Sequence, residues 1–394
     1  VVAAMNPAPR ASRTVLVVQP SVQLYGADRM AVESVAGLVE DGWRVFVAVP
    51  DDGPLVPLLR DAGAEVRIVA APVLRKAYLS ARGVLRYGTE VATRMPSLLR
   101  LVGELDPDVV YVNTITVPPW IAAARLRRVP VVCHVHEAEE SASRPVRAAL
   151  ASPLLLASRV MANSTASADV VTRQFSSLGR RTSVIYNGVE GPAEPRPART
   201  ELTGAVRLVI VGRVSPRKGT DVAVEALARL VSAGRDVTLD IVGGVFPGYE
   251  WFEDEVRASA ASLGVEDRVR WLGETPDPWT PLADADIALV PSRVEPFGNA
   301  AVEAMLAGRP LVAGATQGLV EIVDPGRTGE LVAPGDADDL AGAIGRLVDD
   351  WPGALERAAV AQTEARERFS PQRYRVEVAD LVDGMTSHRT PSHW

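Results

Sequence analysis

The chain has 394 residues, 47% of them hydrophobic and 23% charged, with a formal net charge of −7, which suits a globular protein of two or three domains and not a disordered one. A single cysteine, Cys133, excludes internal disulfides and multi-cysteine metal sites, and with only four histidines the expectation is no metal. No stretch reaches the roughly 18 to 20 apolar residues of a membrane span, and residues 1–190 carry 21 Lys plus Arg against 17 Asp plus Glu, leaving about −11 for the remainder, an acidic half that argues against nucleic acid as the main partner.

Residues 1–13 lack a long apolar core and read as a disordered lead-in, not a secretion signal, so the expected location is the cytoplasm. Apolar strand candidates follow at 14–19, 45–49, 66–69, 109–112, 131–135, 160–162 and 184–186, with helical patterns between most of them. After the first strand the loop ends at Gly26, before a helix expected to start near Ala27 or Asp28. A glycine there can bring backbone N–H groups close to a phosphate, or it can be a simple turn. The Gly-x-Gly-x-x-Gly fingerprint of a nicotinamide-dependent dehydrogenase is absent from this loop.

Segment 73–102 holds Arg75, Lys76, Arg82, Arg86, Arg94 and Arg100 against one acid, Glu90. One reading is a basic amphipathic surface near anionic membrane or an anionic acceptor. The other is an ordinary solvated helix face whose pattern Gly83, Gly88 and Pro96 interrupt.

The strand at 131–135 runs into His134, His136 and Glu137, and strand alternation puts both imidazoles on one face. A histidine at the carboxyl end of a strand can donate a hydrogen bond to a sugar hydroxyl or buffer charge there, or it can be buried and capped by Glu137, Glu139 or Glu140. Asn113 and Thr114, just past the strand at 109–112, are further candidates for the same edge. A Pro-rich, charged stretch at 191–200 cannot extend a sheet and marks a linker.

Beyond it, strands at 206–211, 238–242, 269–272, 287–290, 311–313 and 331–332 repeat the plan. The first is followed by Gly212-Arg213-Val214-Ser215-Pro216-Arg217-Lys218-Gly219 and then a helical run. Arg213 and Lys218 are five apart across this loop, so both can turn toward one anion, unless the loop is only a solvated basic turn. After the strand at 287–290 come Glu295-Pro296-Phe297-Gly298-Asn299 and Glu303, with seven residues between the two glutamates. Asn299 or Gly298 reads as the N-cap of a helix whose first turn contains Glu303. Free N–H groups and the helix dipole there favour a phosphate, and each carboxylate can accept from hydroxyls on either side of a diphosphate. The bland alternative is that Glu303 merely complements the dipole. Helical patterns at 336–350, 352–369 and 372–383 close the chain, and 387–394 reads as a mobile tail.

Gly212-Arg213 with Lys218-Gly219, the two glutamates around Pro-Phe-Gly, Gln317-Gly318-Leu319-Val320-Glu321 and Gly329-Glu330-Leu331-Val332 together resemble the retaining glycosyltransferases of the fourth sequence family. The resemblance covers nearly the whole chain and implies two Rossmann-like, doubly wound parallel-sheet domains facing a deep interdomain cleft. The organisation it suggests is an acceptor-side domain at 14–190, a linker at 191–200, a nucleotide-sugar-binding domain at 201–370, and a helix at 371–386 crossing back to the first domain. It implies that Arg213 and Lys218 neutralise the donor diphosphate, that Glu295 with Phe297, Gly298 and Asn299 holds the transferred sugar, and that Glu303 binds the ribose. It points to His136 over His134 as the catalytic histidine. Two departures stand out: Gln317-Gly318 replaces a frequent Gly-Gly pair, and Gly26 stands alone where two glycines are common.

The function so implied is transfer of a hexose from a nucleotide-diphosphate sugar to a sugar, lipid-linked glycan or small-molecule hydroxyl, by same-face displacement without a metal or other cofactor. Such chemistry belongs to glycan, glycolipid or secondary-metabolite biosynthesis in bacteria, in the cytoplasm or at the inner face of its membrane. The rivals are a sugar-nucleotide epimerase of similar plan and a non-catalytic nucleotide-sugar binder.

Overall fold

A computed structural model describes residues 13–24, 26–74, 78, 80–137, 143–245, 248–275 and 277–386. The expected lead-in before Arg13, the tail at 387–394, the basic residues Arg75 and Lys76, and the acids Glu139 and Glu140 lie outside them. The chain divides into two compact units: one takes residues up to Gly188 with those from Pro371 onward, and the other spans Val189–Ser370.

The first unit contains β1 (Thr14–Val18), α1 (Gly26–Glu40), β2 (Arg44–Val49), α2 (Leu55–Asp61), β3 (Glu65–Ile68), α3 (Ala81–Leu105), β4 (Val109–Val112), α4 (Pro118–Leu126), β5 (Val131–Val135), α5 (Arg144–Ala151), β6 (Arg159–Ala162), α6 (Thr165–Gln174) and β7 (Thr182–Val184). Its seven strands are all parallel in the order β3-β2-β1-β4-β5-β6-β7. Alternation along β1 explains the two layers. Val15 and Val17 point into a core with Met30, Leu38 and Leu59, whereas Leu16 and Val18 point into another with Leu98, Trp120 and Ile121. Strands apolar on both faces are what helices on both sides of a parallel sheet require.

The second unit contains β8 (Val206–Val211), α7 (Thr220–Ser232), β9 (Val237–Val242), α8 (Glu250–Ser262), β10 (Val269–Gly273), α9 (Trp279–Asp284), β11 (Ile287–Val290), α10 (Asn299–Leu306), β12 (Leu311–Gly314), α11 (Leu319–Ile322), β13 (Glu330–Val332), α12 (Ala337–Asp349) and α13 (Trp351–Arg368). The six strands are parallel in the order β10-β9-β8-β11-β12-β13. Leu208, Ile210, Leu239 and Ile241 pack against Val224, Leu227, Leu340 and Ile344 from α7 and α12. The Pro-rich stretch at 191–200 belongs to this unit: Arg199 Nε donates to Asp286 Oδ1 at 2.7 Å, and Trp351 Nε1 donates to the Arg199 carbonyl at 2.9 Å.

The last helix, α14 (Pro371–Asp383), packs on α1 within the first unit. A Cβ at Gly37 would lie 2.7 Å from Arg375 backbone atoms, so α1 has a glycine where the two helices touch. Tyr374, fully buried, shares a hydrogen bond with Ser34 Oγ at 2.8 Å, and Arg375 reaches Glu33 at 2.8 Å and Glu40 at 2.6 Å.

Three sequence expectations need correction here. Residues 81–105 form one continuous helix in spite of Gly83, Gly88 and Pro96. Ser80 caps it by accepting from Gly83 N at 3.1 Å, and both Pro96 and Ala92, whose carbonyl a proline N cannot serve, are exposed, so solvent has access to the carbonyl in place of the lost bond. The last strand of the first sheet is Thr182–Val184, not 184–186, because this edge strand pairs only with β6 and no alternating burial marks its ends. Helix α1 begins at Gly26, one residue before the expected start.

In both sheets the strand order reverses between the first strand of the unit and its fourth: β1 beside β4, and β8 beside β11. Loops leaving two such strands diverge to opposite sides, so a crevice opens at their carboxyl ends, where open α/β sheets take ligands.

Candidate active site

In the second unit the loops after β8 and β11 fit together through absent side chains. A Cβ at Gly219 would stand 2.1 Å from the Pro291 carbonyl oxygen, one at Gly314 would stand 2.5 Å from that of Ser292, and one at Gly318 would stand 2.4 Å from that of Phe297. The loop following β11 therefore runs across three glycines, each at a point where any other residue would push it away. Arg293 straps the two loops, donating to Pro216 O at 2.9 Å and, as a fork, to both oxygens of Asp221 at 2.7 Å.

This strapping brings Lys218 to Glu295. Lys218 Nζ lies 2.5 Å from Glu295 Oε2, and Ser292 Oγ donates to the same oxygen at 3.3 Å. Glu295 is only 7% exposed, and its main-chain carbonyl accepts from Gly318 N at 3.0 Å. Burial pushes the Glu295 carboxyl up, but the charges of Lys218 and Arg217 and the hydrogen bonds from Lys218 and Ser292 outweigh it and hold the group below the usual carboxylate range. A lysine has three donors; with one on Glu295, two remain for an anion.

Two residues past Glu295, Phe297 is buried edge-on against Phe369, with ring centroids 5.7 Å apart. Gly298 has φ 126°, a value that strains any L side chain, and turns the chain into α10. Helix α10 starts at Asn299, with Gly298 as its cap, so the first-turn N–H groups follow directly after the Glu295 loop. Glu303 is the fifth residue of α10 and belongs to its second turn, not its first. The reason is that glycine supplies the turn and Asn299 is already helical. Arg213, half-buried, leaves the end of β8 on the same loop as Lys218.

Gln317 holds φ 39°, a backbone that glycine adopts without strain, which gives the Gly-to-Gln departure at this position a physical cost. Arg293, Asp221, Ser292 and Arg217 were not singled out from sequence. Arg293 and its partner Asp221 on α7 are 72 positions apart with two α-helices between them, so no local spacing signalled the pair.

In the first unit β1 and β4 pair Val18 with Val112, so the next residues, Gln19 and Asn113, emerge side by side although 94 positions apart. His136 follows β5, the neighbour of β4. Its Nε2 lies 3.0 Å from Asn113 Oδ1, and its ring centroid lies 3.7 Å from that of His134, the planes tilted by 41°, on the same face as strand alternation predicts. His134 is fully buried, with Nδ1 2.8 Å from the Tyr111 hydroxyl. Burial pushes the His136 pKa down to about 3, and burial followed by the neighbouring His136 pushes that of His134 well below the usual value.

Glu137 does not cap an imidazole. Its carboxylate accepts from Thr114 Oγ1 at 2.6 Å and from the main-chain N of His136 at 3.0 Å, while burial raises its pKa. Gly26 is the exposed first residue of α1; the adjacent Ala27 carbonyl accepts from Asn113 Nδ2 at 3.0 Å. Among the described residues no three His, Cys, Asp or Glu side chains are grouped so as to hold a metal ion, and no helix is long and apolar enough to cross a membrane.

Two parallel α/β sheets, each with polar groups gathered at its own switch point, describe a class of two-domain nucleotide-type folds. Comparison with known proteins makes the class specific. A family model for glycosyl transferases group 1 matches residues 196–368, and one for glycosyltransferase family 4 matches residues 25–190. D-inositol 3-phosphate glycosyltransferase 1 of Catenulispora acidiphila is 32% identical over 301 residues, 66% of this chain and 70% of the relative. Glycogen synthase of Mycobacterium tuberculosis is 32% identical over 281 residues, 68% of this chain, and the chain spans 66% of that relative's length. Among solved structures, Anabaena Alr3699/HepE in complex with UDP and glucose superposes with a TM-score of 0.77 at 26% identity, covering 95% of this chain and 99% of that one. The chain belongs to this family of glycosyltransferases, whose two-domain architecture is called GT-B.

Proposed function

We propose that the protein transfers a sugar from a nucleotide-diphosphate sugar to an acceptor hydroxyl with retention at the anomeric carbon and without a metal. The observation that carries this reading is the Lys218–Glu295 pair, 2.5 Å apart, placed between the β8 loop and the start of α10 at the switch point of the second sheet. The similar Anabaena protein was solved with UDP-glucose, which supports a nucleotide-sugar donor here.

Breaking the bond between the anomeric carbon and the phosphate oxygen leaves positive charge on the sugar and negative charge on the diphosphate. Lys218, Arg213 and the first-turn N–H groups of α10 stabilise the leaving group where its charge is largest, a task that fixed cations perform as a divalent ion would. Glu295 holds sugar hydroxyls and Glu303 the ribose. Retention through a covalent intermediate needs a carboxylate free to attack, whereas Glu295 has Oε2 engaged by Lys218 and Ser292 and Oε1 assigned here to sugar hydroxyls. Same-face attack fits instead: the acceptor oxygen bonds to the anomeric carbon as the phosphate departs, and a phosphate oxygen takes the acceptor proton.

We place the reaction in the cytoplasm. Val84 and Leu85 of α3, 62% and 72% exposed beside Arg82 and Arg86, support peripheral contact with an anionic membrane. Cosedimentation with anionic against zwitterionic vesicles tests it. For the reaction, thermal-shift titration with UDP, GDP, TDP and ADP identifies the nucleotide, since a ligand at a hundredfold excess over Kd stabilises by about 2.7 kcal/mol. The anomeric configuration of the product is then read by NMR. No stabilisation by any nucleoside diphosphate, or an inverted product, would overturn the reading; a second sugar nucleotide formed from donor alone would indicate an epimerase.

A further inference from the structure

The side chains behind His136 form a directed chain that ends in two groups with no proton to give. Asp28, 3% exposed, accepts from Gln19 Nε2 at 2.6 Å. With its amide nitrogen on the carboxylate, Gln19 presents its oxygen, which accepts from Asn113 Nδ2 at 2.8 Å. The same Nδ2 also donates to the Ala27 main-chain carbonyl at 3.0 Å. A carboxylate and a peptide carbonyl can only accept, so neither amide can be reversed without setting oxygen against oxygen. Gln19 and Asn113 are 2% and 1% exposed, leaving water little access to relieve such a clash. Asn113 must therefore turn Oδ1 toward His136 Nε2, which lies 3.0 Å away, and that nitrogen must carry the hydrogen.

We infer that Asn113, oriented by Ala27 and by the Asp28–Gln19 pair, is a positioning residue that holds His136 in its Nε2-protonated tautomer and leaves Nδ1 as the ring's only lone pair for a substrate hydroxyl. A neutral imidazole has one N–H, and here it is spent on Asn113. His136 thus meets a ligand as a hydrogen-bond acceptor, and not as the donor or charge buffer expected from sequence. The role toward substrate rests on the proposed transferase reading, but the tautomer does not.

The test is two-bond 15N–1H NMR on protein labelled at histidine nitrogen, with the His136 signals assigned by their loss in His136→Gln. The expected result is a bare Nδ1 and a protonated Nε2, unchanged from about pH 5 to about pH 8. An Nδ1-protonated ring, an even mixture, or titration inside that range in the wild type would overturn the inference; the readout is taken on wild-type protein, and His136→Gln serves only to assign its signals. In Asn113→Leu, Nε2–H loses its acceptor, so the signals should move toward a tautomer mixture. Under the transferase reading kcat should then fall about ten- to a hundredfold with the UDP Kd within about twofold of wild type, because the Lys218–Glu295 site is untouched. An unchanged tautomer in Asn113→Leu, or loss of kcat and UDP affinity together, sinks the positioning role. An inactive wild type with the expected wild-type tautomer counts against the transferase reading alone.

Discussion

Lys218 and Glu295 form an ion pair at 2.5 Å in which the glutamate side chain is 9% exposed and the lysine side chain 16%. Removing one member of such a pair strands the other. Lys218→Met should destabilise the second unit by about 3 kcal/mol in denaturant unfolding and abolish the stabilisation that the cognate nucleotide gives. Glu295→Gln, which keeps the shape and leaves the lysine near the surface, should cost less. Equal stability of Lys218→Met and wild type would remove the pair from the account. Because Glu295 is held below its ordinary value, its contribution is complete above the unfolded carboxylate pKa of about 4.3 and fades as pH falls through the lower folded value.

The adjacent imidazoles of His134 and His136 set a second pH dependence. Both have folded pKa values below the ordinary 6.5, that of His136 at about 3. The folded state therefore excludes protons that the unfolded chain takes up, and stability is full above pH about 6.5 and lost as pH falls toward the folded values. His136 by itself gives a slope of roughly 1.4 kcal/mol per pH unit between about pH 5.5 and 4.5, and His134 adds to it in the same direction. Urea unfolding of wild type and His136→Gln across that range should differ by about one proton. Identical slopes would contradict the burial of the imidazole.

Gly318 has an ordinary φ of −63°, so its need for glycine is steric and not conformational. A Cβ would lie 2.4 Å from the Phe297 carbonyl oxygen and 2.5 Å from that of Pro296. Gly318→Ala should shift the Pro296–Asn299 turn and raise the nucleotide Kd by about tenfold or more, on the scale of an ångström of misplacement. Isothermal titration settles it; an unchanged Kd would mean that this turn does not touch the ligand.

Arg293 is the strap between the β8 and β11 loops, and a lysine cannot reproduce its fork. Arg293→Lys should cost about 1 to 2 kcal/mol and speed amide exchange at 212–219 relative to the sheet. Exchange at wild-type rates would show the glycine contacts to be sufficient alone.

Much of this was open to sequence reading because it is local. Apolar runs bounded by glycine and proline gave strands within a residue or two, since a buried parallel strand must be hydrophobic on both faces. The Gly212–Gly219 and Glu295–Glu303 segments were visible for the same reason: each is one loop and one helix start. The misses lie where local propensity was overruled. Helix α3 carries Pro96 because solvent has access to the freed carbonyl, and Glu303 falls in the second turn because Gly298, rather than Asn299, ends the loop.

Sequence by itself determined two alternating α/β halves and the residue types able to grip a diphosphate. Only the tertiary structure decided which groups meet. Gln19 and Asn113 come together because strand order places β4 beside β1, and Lys218 meets Glu295 because β11 lies beside β8. Hydrophobic periodicity reports burial along one segment and is blind to which strand lies next to it. The orientation of an amide or an imidazole is set by acceptors far away in the chain, and no spacing of letters encodes them.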